Sequence, residues 1–185
     1  MIAICVGHSR PGDEGAISCG GISERAWNSG MAKVLKAQLE HAGHECAVID
    51  TYLGNDYTTA MKWLGRKLKT IKATAAIELH FNAEEPEANG HEWLHWHDSA
   101  NGRLLARALE RNMARTFPLA KRRGCVSRYP RDRGGEFLRA TPCPAVICEP
   151  FFGTNEAEWH RYSLDRGKLA VAMAAGIADW IGGAA

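Results

Sequence analysis

Residues 2–8 read Ile2-Ala3-Ile4-Cys5-Val6-Gly7-His8, a short apolar run rich in β-branched residues and stopped by glycine. Such a run, without polar alternation, predicts a strand covered on both faces, as in a parallel sheet between helix layers. The neighbouring segments fit such a sheet. From Ser23 the spacing turns helical, with Trp27, Met31, Val34, Leu35 and Leu39 at three- and four-residue steps, Ser23 as N-cap and Gly43 as stop. Glu45–Asp50 predicts the next strand, and Tyr57–Lys72 a helix with Met61, Leu64, Leu68 and Ile71 on its apolar face.

The alternation continues. Ala75–Phe81 predicts a strand, Glu84-Glu85-Pro86-Glu87 an irregular acidic loop, and Glu92–His97 an alternating strand. Asp98 or Ser99 then caps a helix carrying Leu104, Leu105, Ala108, Leu109 and Met113, which Pro118 ends. Residues 121–139, rich in Arg and Gly, read as a long surface loop with Phe137–Leu138 as a candidate short strand. Ala145–Phe152 predicts a strongly apolar strand, and one amphipathic helix runs from Asn155 or Glu156 to Ile181. The expected fold is α/β, a mostly parallel twisted sheet of about six strands with helices on both faces.

With 185 residues and neither an internal repeat nor a linker, the chain is expected to form a single domain over residues 1–185. Its 45% hydrophobic and 24% charged content excludes disordered and collagen-like classes. A net charge of +2 argues against a nucleic-acid partner. No stretch is long and apolar enough to span a membrane, and Met1–Cys5 lacks the form of a signal peptide. The six cysteines contain no CxxC pair, and Cys5, Cys46 and Cys148 sit within apolar runs. They read as free buried thiols of a chain made in the cytoplasm.

Three predicted strands end on chemistry. His8 follows the first, His80 closes Ala75–Leu79, and Glu149 follows Val146-Ile147-Cys148. Glu24, in the first turn of the first helix, returns to the same edge of the sheet, where open α/β sheets bind ligands. Taken singly, a histidine after a strand can be a hydrogen-bonded structural residue, and Glu24 can simply complement a helix dipole. Glu149 interrupts an apolar run, and a buried carboxylate needs a partner or a task. Two imidazoles with one carboxylate make the His₂Glu set of a catalytic zinc. His95-x-His97 places two more imidazoles on one strand face but lacks an obvious third ligand, while His41, His44 and His160 read as surface residues. Gly7-x-Ser9 is not a nucleophile elbow, because Pro11 replaces the required glycine.

The sequence resembles the zinc-dependent N-acetylmuramoyl-L-alanine amidase family, the catalytic-domain type of cell-separation amidases and phage endolysins. The resemblance is carried by Gly7-His8 and its Gly-rich loop through Ala16, by Glu24 in SERAWNSGMAKVLKAQL, by ELHFNA with His80 and Asn82, and by PAVICEPFFGTNEAE. Ser9-Arg10 replace the family's usual Gly-Gly, and Glu78 stands where a small residue is common. The resemblance implies that His8, Glu24 and His80 are zinc ligands and that Glu149 is the catalytic carboxylate. A zinc there would bring the pKa of a water toward ~7 and polarise the amide carbonyl, with Glu149 relaying the proton to the leaving amine.

Asn82, His91 and Glu92 are candidate substrate contacts. The basic segment Lys121–Arg139 either steers an anionic glycopeptide or is a solvated loop. The implied substrate is peptidoglycan, cut between the lactyl group of N-acetylmuramic acid and L-alanine. The implied setting is a monomeric phage or prophage endolysin without a separate wall-binding domain, made in the cytoplasm and acting on the wall after release. Two alternatives stay open: a related zinc peptidase or amidohydrolase acting on small peptides, and a wall-binding module that has lost catalysis.

Overall fold

The structure, a computed structural model, describes residues 1–183. The strands are β1 (Ile2–Val6), β2 (Cys46–Ile49), β3 (Ala75–Leu79), β4 (His91–Trp96), β5 (Arg122–Arg128) and β6 (Ala145–Glu149). The helices are α1 (Glu24–His41), α2 (Tyr57–Thr70), α3 (Ala100–Thr116), α4 (Gly135–Ala140), α5 (Glu156–Leu164) and α6 (Arg166–Ile181). One sheet holds all six strands in the order β2-β1-β3-β6-β4-β5. β2, β1, β3 and β6 run parallel, and β4 and β5 run parallel to each other but opposite to those four. The mostly parallel α/β architecture read from the sequence is therefore the one observed.

The opening run behaves as its composition demands. All five residues of β1 are buried, with Ile2, Ile4 and Val6 facing Trp27, Met31 and Leu35 of α1. Ala3 and Cys5 face the opposite layer, Ala60, Met61 and Leu64 of α2 and Phe137 of α4. This strict alternation puts α1, α3 and α6 on one face and α2 and α4 on the other. The caps match too: Ser23 accepts from the N–H of Ala26 at 3.2 Å, and Ser99 from that of Gly102 at 3.0 Å. Among the described residues no helix is long and apolar enough to cross a membrane. All six cysteines are free, with Cys5, Cys46 and Cys148 buried and Cys19 exposed.

Three local expectations are corrected. Residues 121–139 are not one loop: they contain β5 and most of α4. As an edge strand β5 pairs, among the described residues, only with β4, and its partly exposed sequence RRGCVSR carries no apolar pattern. Phe137–Leu138 lie in helix α4, buried against α2, rather than in a short strand. The final helix is two helices, because Asp165 breaks the run and recaps it by accepting from the N–H of Lys168 at 3.1 Å.

Candidate metal centre

Four strand and helix ends converge where the sequence places its acid–base residues. Gly7-His8 leaves the end of β1, His80 the end of β3, Glu149 ends β6, and Glu24 begins α1. Three of the four have an aromatic neighbour in the chain that anchors them. Trp27, one turn after Glu24, meets Phe151, two residues after Glu149, with ring centroids 5.0 Å apart. Phe81, next to His80, lies 5.7 Å from Phe151 and 6.4 Å from Trp27. This buried cluster fixes the spacing of the site from beneath.

Glu24 is fully buried between the two imidazoles. Its Oε1 lies 2.8 Å from His80 Nδ1 and accepts from the N–H of Phe81 at 3.2 Å, while its Oε2 accepts from the N–H of Ala16 at 3.2 Å. His8 Nε2 lies 3.4 Å from Glu24 Oε2 and is buried without a hydrogen-bond partner. One ligand atom from each of His8, Glu24 and His80 falls within 4.8 Å of the others. The remote nitrogens are also committed. His8 Nδ1 bonds Asp13 Oδ1 at 2.8 Å, and His80 Nε2 lies 3.3 Å from Glu78 Oε2, whose Oε1 accepts from the Tyr52 hydroxyl at 3.1 Å. A carboxylate on the far nitrogen fixes the tautomer and leaves the inner nitrogen, Nε2 of His8 or Nδ1 of His80, to bind a cation.

The electrostatics agree. Burial opposes a charge on either imidazole, yet Glu24 outweighs it and raises both pKa values, His80 the more because Glu78 adds to the effect. Burial likewise opposes ionisation of Glu24, but the two imidazoles hold it well below the usual carboxylate range. The cluster is thus built to hold positive charge between three inner atoms. His8 adopts φ 57°, a left-handed conformation uncommon for a side-chain-bearing residue and often found where geometry serves a site. Gly7 supplies room: a Cβ there would overlap the His80 ring.

Glu149 is 5% exposed, pairs in register with Glu92 of β4, and leaves Oε2 buried without a partner. Burial drives its pKa up, the charge on Glu24 adds to this, and His80 and Arg133 oppose it, giving a value of about 7. A cavity of about 290 Å³ opens beside these groups and is lined by His8, His80 and Glu149 together with Tyr52, Met61 and Ile147. A carboxyl near neutrality beside a cation-binding cluster, in one cavity, can exchange protons with whatever binds there.

The other candidates are placed differently. Asn82 and Glu92 bond to each other, Nδ2 donating to Oε1, and tie the end of β3 to the start of β4. His91 is fully buried; its Nδ1 accepts from Trp93 Nε1 at 2.9 Å, and burial lowers its pKa to about 4. None of these three lines the cavity with Glu149. His95 Nδ1 bonds the Trp96 carbonyl, and His97 stacks on Tyr129, so this pair gathers no third ligand among the described residues. Sequence reasoning missed Asp13, Glu78 and Tyr52. Glu78 had a signal, since residues two apart on a strand share a face and so does His80.

A family model described as N-acetylmuramoyl-L-alanine amidase matches residues 2–179. Among curated proteins compared by sequence, none matches. Similar solved structures include the CwlD amidase from Clostridioides difficile in complex with the GerS lipoprotein, with TM-score 0.84 and 19% identity over 98% of each chain. The catalytic domain of the CD27L endolysin targeting Clostridia Difficile gives TM-score 0.81 and 23% identity over 96% of each chain. The amidase AmiC2 of Nostoc punctiforme gives 0.80 and 21%, covering 98% of this chain and 97% of its own. These likenesses establish a shared fold; with the family pattern matched from residue 2 to residue 179, the chain belongs to the N-acetylmuramoyl-L-alanine amidase family of peptidoglycan hydrolases.

Proposed function

We propose that the protein is a zinc-dependent amidase in which His8, Glu24 and His80 hold the metal and Glu149 is the catalytic carboxylate. The observation that carries this is Glu24, fully buried with an imidazole at 2.8 Å and another at 3.4 Å. Two nitrogens and one carboxylate oxygen suit zinc and leave further coordination positions for reactants. When bound, zinc supplies Lewis acidity, polarising the amide carbonyl and acidifying water. The remaining chemistry belongs to the chain. Glu149 takes a proton from the attacking water and delivers it to the departing amine, a role suited to a buried carboxyl whose pKa burial pushes up in the metal-free chain. The bond cut is the amide between the lactyl group of N-acetylmuramic acid and L-alanine.

The chain acts in this reading as one catalytic domain over residues 1–185, as a monomer, and as an endolysin of phage or prophage origin. The likeness to the CD27L endolysin domain supports that setting. Free buried thiols at Cys5, Cys46 and Cys148 are consistent with synthesis in the reducing cytoplasm before action on the wall. The test is digestion of purified sacculi. Free L-alanine amino termini are expected without new reducing sugars; new reducing ends instead would identify a glycosidase and refute the assignment.

Two substitutions probe the support around the ligands. Glu78→Gln removes the charge that His80 Nε2 faces while keeping the shape that Tyr52 holds. Zinc affinity, measured by competition with a chromophoric chelator, should fall roughly 10–100-fold. Gly7→Ala pushes the His80 ring from its seat. It should weaken zinc binding at least as much while the circular dichroism spectrum stays that of the parent.

A further inference from the structure

We propose that the cavity beside the metal centre is the subsite for the peptide on the amine side of the scissile bond, with Arg131 and Arg133 receiving a free carboxylate of that peptide. This rests on the peptidoglycan-amidase reading and deepens it by assigning an orientation and a chemical preference.

The cavity has an apolar floor, to which Met61, Leu94 and Ile147 contribute, and a cationic rim, to which Arg10, Arg131 and Arg133 contribute. Three of the four acids in its wall are already engaged, the fourth being Glu149. Asp13 bonds His8, Glu78 faces His80 and Tyr52, and Asp132 accepts from the N–H of Tyr129 at 2.8 Å. Of the rim arginines, Arg10 pairs with Asp13 at 3.8 Å and keeps a buried Nε–H without an acceptor, whereas among the described residues neither Arg131 nor Arg133 has an ion pair or hydrogen bond. Elsewhere in the same basic segment Arg122 is committed to both oxygens of Glu110 and Arg123 to Glu92 and the Phe152 ring, while Arg128, which does not line the cavity, keeps a buried Nε–H without an acceptor.

The turn that carries Arg131 and Arg133 is a built element. Gly135 donates to the Asp132 carbonyl at 2.9 Å, Asp132 donates to that of Tyr129 at 3.0 Å, and the Tyr129 ring stacks on His97 with centroids 4.4 Å apart.

The two sides of the scissile amide differ in chemistry. The acyl side is a lactyl ether on a neutral amino sugar, whose hydroxyl and acetamido groups need polar partners that an aliphatic floor lacks. The amine side begins with a methyl group and continues into residues bearing free carboxylates. A small apolar floor below an uncommitted arginine pair therefore matches the amine side.

The test compares sacculi before and after their free carboxylates are converted to amides with carbodiimide and ammonia. The readout is the initial rate of amino-terminus release. The parent enzyme should digest the amidated sacculi roughly tenfold more slowly or worse. For the Arg131→Gln/Arg133→Gln double variant the ratio of the two rates should fall to about one, whatever its absolute rate, because Arg133 also acts on Glu149. A Lys67→Gln/Lys69→Gln variant, which removes the same charge from the exposed face of α2, should keep the parent's discrimination. Equal rates for the parent, discrimination surviving in the arginine variant, or its equal loss in the lysine variant would each overturn the subsite and leave the amidase reading standing. If the parent digests neither preparation, the amidase reading fails first, and the subsite with it.

Discussion

Glu149→Gln should fold, bind zinc as the parent does, and release amino termini from sacculi roughly 10²–10⁴-fold more slowly. The amide keeps the shape of the carboxyl at the end of β6 but cannot accept the water's proton, so the loss should fall on kcat rather than on KM. A second readout is independent of catalysis. Glu149 has a folded pKa of about 7, raised by burial from 4.5. For an acid whose pKa rises on folding, the contribution to stability is complete below the ordinary value and is lost as pH climbs through the folded one. Metal-free parent protein should therefore lose stability between about pH 4.5 and 7, by about 3 kcal/mol for a shift of this size. The Glu149→Gln variant lacks that slope. Above neutrality its metal-free Tm should exceed the parent's, and near pH 4 the two should converge. A Glu149→Gln protein that lyses sacculi at the parent's rate would remove the residue from the mechanism.

Glu24→Gln carries the other large effect. Glu24 is fully buried, and replacing it by alanine would also leave the N–H groups of Ala16 and Phe81 without their acceptor, confusing a metal defect with a folding one. Glutamine keeps an acceptor for one of those two donors and removes the charge between the two imidazoles. Zinc should raise the Tm of the parent by roughly 8–16 °C at a thousandfold excess over its dissociation constant. A chelator should reverse the gain, abolish lysis, and yield to added zinc. For Glu24→Gln the zinc-induced shift should vanish, and activity with it. A variant that still bound one zinc per chain and lysed sacculi would refute the ligand assignment.

The parts of this molecule legible in its sequence are those written in hydrophobic spacing. β1, β3, β6 and the helices α1 and α3 declare themselves because each buries a run or a stripe, and the ends of β1, β3, β6 and α1 carry His8, His80, Glu149 and Glu24 to one place. What escaped was held by other means. β5 is stabilised by ladder hydrogen bonds on one side and by the Arg122–Glu110 pair, neither of which leaves an apolar pattern. Asp165 splits a continuous amphipathic run with a single side-chain acceptor. Asp13 and Tyr52 reach the site from loops, where no periodicity constrains direction. His91 read as a cleft residue because it follows the acidic loop, but its ring bonds Trp93 and does not line the cavity.

β5 has a further consequence. Among the described residues its outer row of backbone amides and carbonyls has no neighbouring strand, and such a rim invites intermolecular pairing and aggregation. Arginines at 122, 123 and 128 punctuate that rim, so a second molecule approaching it would have to bring like charges together and desolvate them. The cationic residues that concealed this strand from a reading of hydrophobicity also guard it when the protein is concentrated.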